Sequence, residues 1–277
     1  MPKPILNVAA YKFATLNDLP TLREQLRRLT AKLDLRGTIL LAPEGINLFL
    51  AGEEEKLERF LGTLLEDPRF TDMPVKRSYS SDQPFNRMLV KIKREIITMN
   101  QPDIKPAEHA APRITARELQ RWLDEGREVV LLDTRNRFEV DVGTFNGAEQ
   151  LGIDAFSQFP EKLKAKADAW SDKTVVTFCT GGIRCEKAAP FMLANGFKEV
   201  YQLDGGILKY FEECGDAHYE GECFVFDKRV AVDGELQETQ TAQCYVCQEV
   251  VSPEQQRSIH YKVGVSCPKC APRQRAA

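Results

Sequence analysis

Cys179 and Arg184 enclose four residues, Thr180-Gly181-Gly182-Ile183, and a second cysteine, Cys185, follows at once. The whole stretch, TVVTFCTGGIRCEKAAP (residues 174–190), leaves an apolar strand-like run through the glycine pair and enters a helix-like pattern. Glycines admit positive φ, so such a turn can aim successive backbone N–H groups at one point and form a concavity for an anion. The N-terminus of the following helix adds partial positive charge and Arg184 a full one. A cysteine in that cradle has a depressed pKa and is largely thiolate at neutral pH, which makes Cys179 a candidate nucleophile. Cysteine is more often a small buried apolar residue, but the glycines and the arginine favour the nucleophile here. Cys185, at the helix start, either cycles an oxidised Cys179 through a transient disulfide or packs.

A second chemistry is written in the tail. Cys244-Tyr-Val-Cys247 and Cys267-Pro-Lys-Cys270 are two C-x2-C knuckles, the spacing of a zinc ribbon, in which each tight turn offers two thiolates to a tetrahedral ion. Four protein ligands leave no open position, so the zinc is expected to be structural. The competing reading, a pair of redox dithiols, lacks a surrounding βαβ pattern. Cys214 and Cys223 are left to packing. All eight cysteines lie at or after position 179, whereas a disulfide scaffold would be stapled throughout. The opening MPKPILNVAAYKF has no long apolar run after its lysines, so neither a signal peptide nor a membrane span is expected. A cytoplasmic, reducing location follows, where cysteines bind metal or catalyse more often than they cross-link.

A basic stripe, Lys76, Arg77, Arg87, Lys91, Lys93 and Arg94, is interleaved with Tyr79 and Phe85 and opposed by Asp82 alone. Such a run is either the solvated side of an edge strand or an RNA footprint. Net charge is only −3, so the chain as a whole is no glove for nucleic acid. His109, His218 and His260 show no triad or ligand spacing.

These groups need a scaffold, and 277 residues with 43% hydrophobic content suffice for two or three domains. Residues 1–99 read β-α-β-β-α-β with an extra strand, the order of a ferredoxin-like (acylphosphatase-like) domain. Asp18 is the expected cap of the first helix, with Pro20 just inside, and Pro43-Glu44-Gly45 turns a hairpin. The polar, proline-bearing stretch 100–112 reads as a linker. Residues 113–214 alternate strands with helices, one helix near 157–170, which predicts a parallel α/β sheet with Cys179 at the carboxyl end of a strand. Thr115 is expected to cap a helix. Asp133, Arg135 and Glu139 are expected to brace a loop, with Arg and Glu pairing nearby. Residues 215–277 are expected to form a small cysteine-rich, zinc-binding region.

Residues 113–214 resemble a rhodanese domain, through VVLLDTRNRFEV, GTFNGAEQLGI, CTGGIRCEKAA and NGFKEVYQLDGGILKYF in that order. The resemblance implies that Cys179 can carry a persulfide and that Arg184 closes the six-residue loop. Related phosphatases use a loop one residue longer, so the spacing argues against phosphate-ester hydrolysis. Thr144 and Asn146 stand where the family usually has a histidine-proline pair, and Cys185 where it commonly has a hydroxyl. Adding APEGIN (42–47), FNRMLVKIKREIITM (85–99) and the cysteine-rich tail, nearly the full chain resembles the rhodanese-domain tRNA uridine-34 hydroxylase family. That resemblance implies an RNA-modifying oxidoreductase forming 5-hydroxyuridine at the wobble position, with tRNA as partner and O2 as co-substrate. Cys179, Arg184 and Cys185 are then the catalytic candidates. From the residues, thiolate addition to C6 of uracil would make C5 electron-rich towards O2, with the charge on O4 held by loop N–H groups and Arg184. The alternative is a sulfurtransferase carrying a cysteine persulfide, which has no need of the N-terminal domain or the tail. A non-catalytic RNA-binding module is a third reading, opposed by the intact Cys179 and Arg184. GxGxxG and GxxxxGK[ST] are absent, so no nucleotide or flavin cofactor is expected, nor is a stable protein partner.

Overall fold

Period-two alternation of apolar residues in the first hundred positions becomes a five-stranded sheet under two helices in the computed structural model, which describes residues 4–271. The elements are β1 (Ile5–Phe13), α1 (Leu19–Lys32), β2 (Arg36–Ala42), β3 (Gly45–Gly52), α2 (Glu54–Leu65), β4 (Val75–Ser80) and β5 (Met88–Ile92). They lie in a first unit that ends at Ala110. The sheet order is β4-β1-β3-β2-β5, antiparallel except for the parallel pair β2–β5. This is the ferredoxin-like arrangement with β5 added at an edge. Leu6, Val8 and Ala10 of β1 and Ile46, Leu48 and Leu50 of β3 point one way, onto Leu22 and Leu26 of α1 and Leu57, Phe60, Leu61 and Leu64 of α2.

The APEGIN motif is structural here. A Cβ on Gly45 would stand 2.1 Å from the Lys12 carbonyl, so only glycine lets the hairpin approach β1. Glu44 accepts the Ile96 N–H at 2.8 Å, and Asn47 donates to the Ile96 carbonyl at 3.4 Å. The two sequence signatures of this unit thus hold one another. Asp18 stands at the N-cap position of α1 without its side chain capping the helix. Its carboxylate instead takes both terminal nitrogens of Arg69, whose charged fork outcompetes a backbone N–H.

The second unit begins at Ala111. It comprises β6 (Arg113–Ile114), α3 (Ala116–Asp124), β7 (Val130–Asp133), α4 (Arg137–Val140), β8 (Gly143–Phe145), β9 (Glu149–Gln150), α5 (Phe159–Lys164), α6 (Ala167–Trp170), β10 (Thr174–Phe178), α7 (Cys185–Ala194), β11 (Glu199–Leu203) and α8 (Gly206–Cys214). After these come the short β12 (Tyr219–Gly221), β13 (Cys223–Phe224), β14 (Ala231–Val232), β15 (Ala242–Gln243), β16 (Val250–Val251) and α9 (Pro253–Gln256). The sheet is parallel throughout, in the order β6-β11-β10-β7-β9. Leu119 and Trp122 of α3 and Ile207, Tyr210 and Phe211 of α8 pack in one core with Val176 and Phe178 of β10. Thr115 caps α3 as its position predicts, accepting the Glu118 N–H at 3.2 Å. The single helix expected near 157–170 is interrupted: Lys166 bonds back only three residues, to Leu163, which tightens the turn and splits it into α5 and α6. β12 pairs antiparallel with β8, so the chain after α8 is stitched directly to the GTF segment. Cys223 is buried in the core described above, and Cys214 packs against it.

Candidate active site and metal centre

The site begins where β10 stops. The Cys179 carbonyl accepts the Ile207 N–H at 2.9 Å and the Thr180 carbonyl the Leu208 N–H at 3.1 Å, so the first turn of α8 grips the outer side of the loop. That approach requires Gly206, whose φ is +66° and whose Cβ would fall 2.3 Å from the Cys179 carbonyl oxygen. With the carbonyls turned out, the N–H groups turn in: Gly182, at φ +100°, donates to Cys179 Sγ at 3.1 Å.

Both loop cysteines are fully buried. Burial pushes the Cys179 thiol up, but a hydrogen bond from Cys185, the charge of Arg184 and the backbone N–H groups of Arg184 and Gly182 together hold it well below the ordinary thiol range. Cys185 shifts the opposite way, raised by burial and by its bond to the Cys179 sulfur, with Thr177 and Thr134 offsetting part of this. The two are therefore driven apart, Cys179 towards the thiolate and Cys185 towards the thiol. Thr134 Oγ1 lies 3.7 Å from Cys185 Sγ and itself donates to the Phe178 carbonyl.

Arg184 is engaged more completely than its sequence position suggests. Its two terminal nitrogens bond the carboxylate of Glu139 at 2.6 and 2.7 Å, with the Glu139 side chain wholly buried and that of Arg184 5% exposed. Glu139 also accepts from the Asn136 N–H and, at 3.4 Å, from the Thr180 hydroxyl. Arg184 thus contributes its charge and pins the loop to α4, while the Gly182 N–H donates to the sulfur. Glu139 joins Arg184 rather than Arg135. Arg135 is fully buried against Asp133, and also donates to the Gly143 carbonyl at 2.6 Å. Thr144, in the departing middle motif, donates to the same Asp133 carboxylate at 2.8 Å, so that residue has a bracing partner of its own.

In the tail, Cys244, Cys247, Cys267 and Cys270 converge with all four sulfurs within 4.8 Å of one another. Cys244 Sγ lies 3.9 Å from Cys270 Sγ, and Cys247 Sγ 3.5 Å from Cys267 Sγ. A tetrahedral zinc with Zn–S bonds of about 2.3 Å sets its sulfurs about 3.8 Å apart, so the four residues fit that ion. Both of these approaches run between knuckles, whereas a redox dithiol would pair within one. The Cys267 N–H donates to Cys270 Sγ at 3.1 Å, orienting one of the four sulfurs.

The six cations of the basic stripe separate into two groups. Lys76 and Arg77 lie on β4, whereas Arg87, Lys91, Lys93 and Arg94 flank or lie on β5, at the opposite edge of the sheet. Arg77 is held by Glu58 at 2.8 and 3.2 Å. Arg87, Lys91, Lys93 and Arg94 are exposed.

Known proteins match this architecture over its length. A family profile described as UPF0176 acylphosphatase like domain covers residues 5–96, and one described as Rhodanese-like domain covers residues 115–213. A protein of Cupriavidus pinatubonensis named tRNA uridine(34) hydroxylase is 53% identical over 274 residues, 97% of each chain. Proteins of the same name from Ralstonia nicotianae (53% over 278 residues, 99% of each chain) and Burkholderia cenocepacia (54% over 276 residues, 96% of this chain and 97% of that one) are similarly close. Among the described residues, no helix is long and apolar enough to cross a membrane.

Proposed function

The chain belongs to the tRNA uridine(34) hydroxylase family, and from that membership we propose that it converts uridine 34 of tRNA to 5-hydroxyuridine with dioxygen as co-substrate. The observation that carries the reading is the buried Cys179 sulfur, 3.1 Å from the Gly182 nitrogen in a loop that Arg184 pins to Glu139. Addition of the Cys179 thiolate to C6 of uracil forms a C–S bond and leaves C5 electron-rich. C5 takes up dioxygen and, with a proton from water, becomes a hydroperoxide. The Cys185 thiol attacks the distal oxygen, leaving a hydroxyl on C5 and a sulfenic acid on Cys185. Loss of the C5 proton expels Cys179 from C6 and restores the ring double bond. Cys179 then condenses with the sulfenic acid, releasing water and forming a Cys179–Cys185 disulfide. Uridine, dioxygen and two thiols thus become 5-hydroxyuridine, water and a disulfide, which an external thiol resets by exchange.

Glu139 and Arg184 hold the loop in the shape this chemistry needs. The four tail thiolates would hold a structural zinc, which orders a segment whose strands are only two residues long. The exposed cations around β5, Arg87, Lys91, Lys93 and Arg94, supply phosphate contacts for tRNA, whereas the charge of Arg77 at the other edge is already taken by Glu58.

The test is nucleoside mass spectrometry of tRNA incubated with purified enzyme, air and a thiol reductant. The wild type is expected to make 5-hydroxyuridine, Cys179→Ala none, and Cys185→Ser little or none. Wild-type levels from Cys179→Ala would overturn the mechanism. A stable Cys179 persulfide with no change in tRNA would instead support sulfur transfer.

A further inference from the structure

Of the phenylalanines among the described residues, only Phe226 is exposed, at 47%. It stands beside the nucleophile loop: its ring centroid is 6.0 Å from the Arg184 guanidinium carbon. Behind it, Phe224 meets the Phe226 ring edge-on at 5.2 Å, and Phe138 of α4 meets Phe224 in the same way at 5.2 Å. The Thr180 hydroxyl approaches the Phe224 carbonyl at 3.5 Å, which ties this segment to the catalytic turn.

The loop that presents Phe226 is built rather than slack. It joins β13 to β14, closed by the Val225 N–H on the Val230 carbonyl at 2.8 Å. Arg229 folds onto the Asp227 carboxylate at 2.6 and 2.9 Å, and both side chains are only 9% exposed. Val230 sits at φ +62°, a left-handed conformation that a β-branched side chain rarely adopts. Strain of this kind persists where surrounding structure enforces it, and it concentrates where a ligand is held. Lys228 is exposed on the same loop.

We infer that Phe226 is the stacking platform for the nucleobase that enters the Cys179 loop, with Lys228 meeting the adjoining phosphate. The inference rests on the proposed tRNA hydroxylation and names the group that grips the substrate. A base must leave its neighbours in the anticodon loop to reach a buried sulfur, and an exposed ring offers a new stacking face that tolerates any base.

The test compares Phe226→Ala with Phe226→Trp. Phe226→Ala is expected to lower kcat/KM for uridine-34 hydroxylation roughly tenfold to a hundredfold, mostly through KM. Phe226→Trp should restore activity to within a few-fold. In a Cys179→Ser background, the fluorescence that Phe226→Trp adds should be quenched by an anticodon stem-loop and much less by one abasic at position 34. Wild-type kcat/KM in a folded Phe226→Ala variant, or equal quenching by the intact and abasic loops, overturns the inference. Should the wild type form no 5-hydroxyuridine, the proposed function fails while the quenching comparison still decides for or against the platform.

Discussion

Neutralising Glu139 is the sharpest test of how the catalytic loop is held. Its carboxylate is wholly buried and takes both terminal nitrogens of Arg184, itself 5% exposed. Glu139→Gln preserves shape but leaves a buried guanidinium uncompensated, a loss worth about 3–5 kcal/mol in comparable pairs. A typical domain is stable by only about 5–15 kcal/mol, so this removes a large share of the margin. With a urea slope of about 2 kcal/mol/M, the midpoint should fall by roughly 1.5–2.5 M. Both tryptophans, Trp122 and Trp170, lie in the unit that begins at Ala111, so tryptophan fluorescence reports its unfolding alone. Replacing the pair together, Glu139→Leu with Arg184→Met, should cost clearly less than the two single changes summed, because neither member of the ion pair is then left without the other. A loss below about 1 kcal/mol for Glu139→Gln at unchanged slope, or simple additivity in the double variant, would refute the reasoning.

Cys185→Ala removes the hydrogen bond that most lowers the Cys179 pKa, so as pH falls the Cys179 thiolate should be lost at a higher pH than in the wild type. Ultraviolet thiolate absorbance, taken as a difference against variants also lacking Cys179, checks this; an unmoved or lower midpoint contradicts it. Gly206→Ala drives a Cβ to 2.3 Å from the Cys179 carbonyl at a positive φ and should cost more than about 1 kcal/mol together with most activity. A urea titration and the tRNA assay measure both losses. Removing metal with a strong chelator should abolish protease resistance of residues 240–271 while leaving the rhodanese fold's circular dichroism in place, and zinc should restore it. Lys91→Ala with Lys93→Ala should weaken tRNA binding and reduce the salt slope by about 1.4–1.8. Arg77→Ala, whose charge Glu58 already takes, should change that slope far less.

Features written between near neighbours in the chain were legible without coordinates. Cys179-x4-Arg184 with its glycine pair implies an inward-facing turn because its conformation depends on those six residues. The two C-x2-C knuckles imply a metal site because each places two thiolates by itself. Apolar periods of 2 and 3.6 carry the two sheets and most helices, but not the split after α5, because a three-residue hydrogen bond leaves no mark on that pattern. Partnerships between distant residues were another matter. Glu139 reaches Arg184 across 45 positions, and Asp18 abandons its cap for Arg69 across 51. β4 and β5, close in sequence, end at opposite edges because β1, β3 and β2 lie between them. Which of the two loop cysteines is driven towards the thiolate likewise depends on burial and on groups gathered from Thr134 after β7, Thr177 of β10, and the loop residues Gly182 and Arg184. Residue order was enough to say which groups could react; packing selects which of them are paired and held in place, because ion pairs and hydrogen bonds act through space and impose no periodicity on the chain.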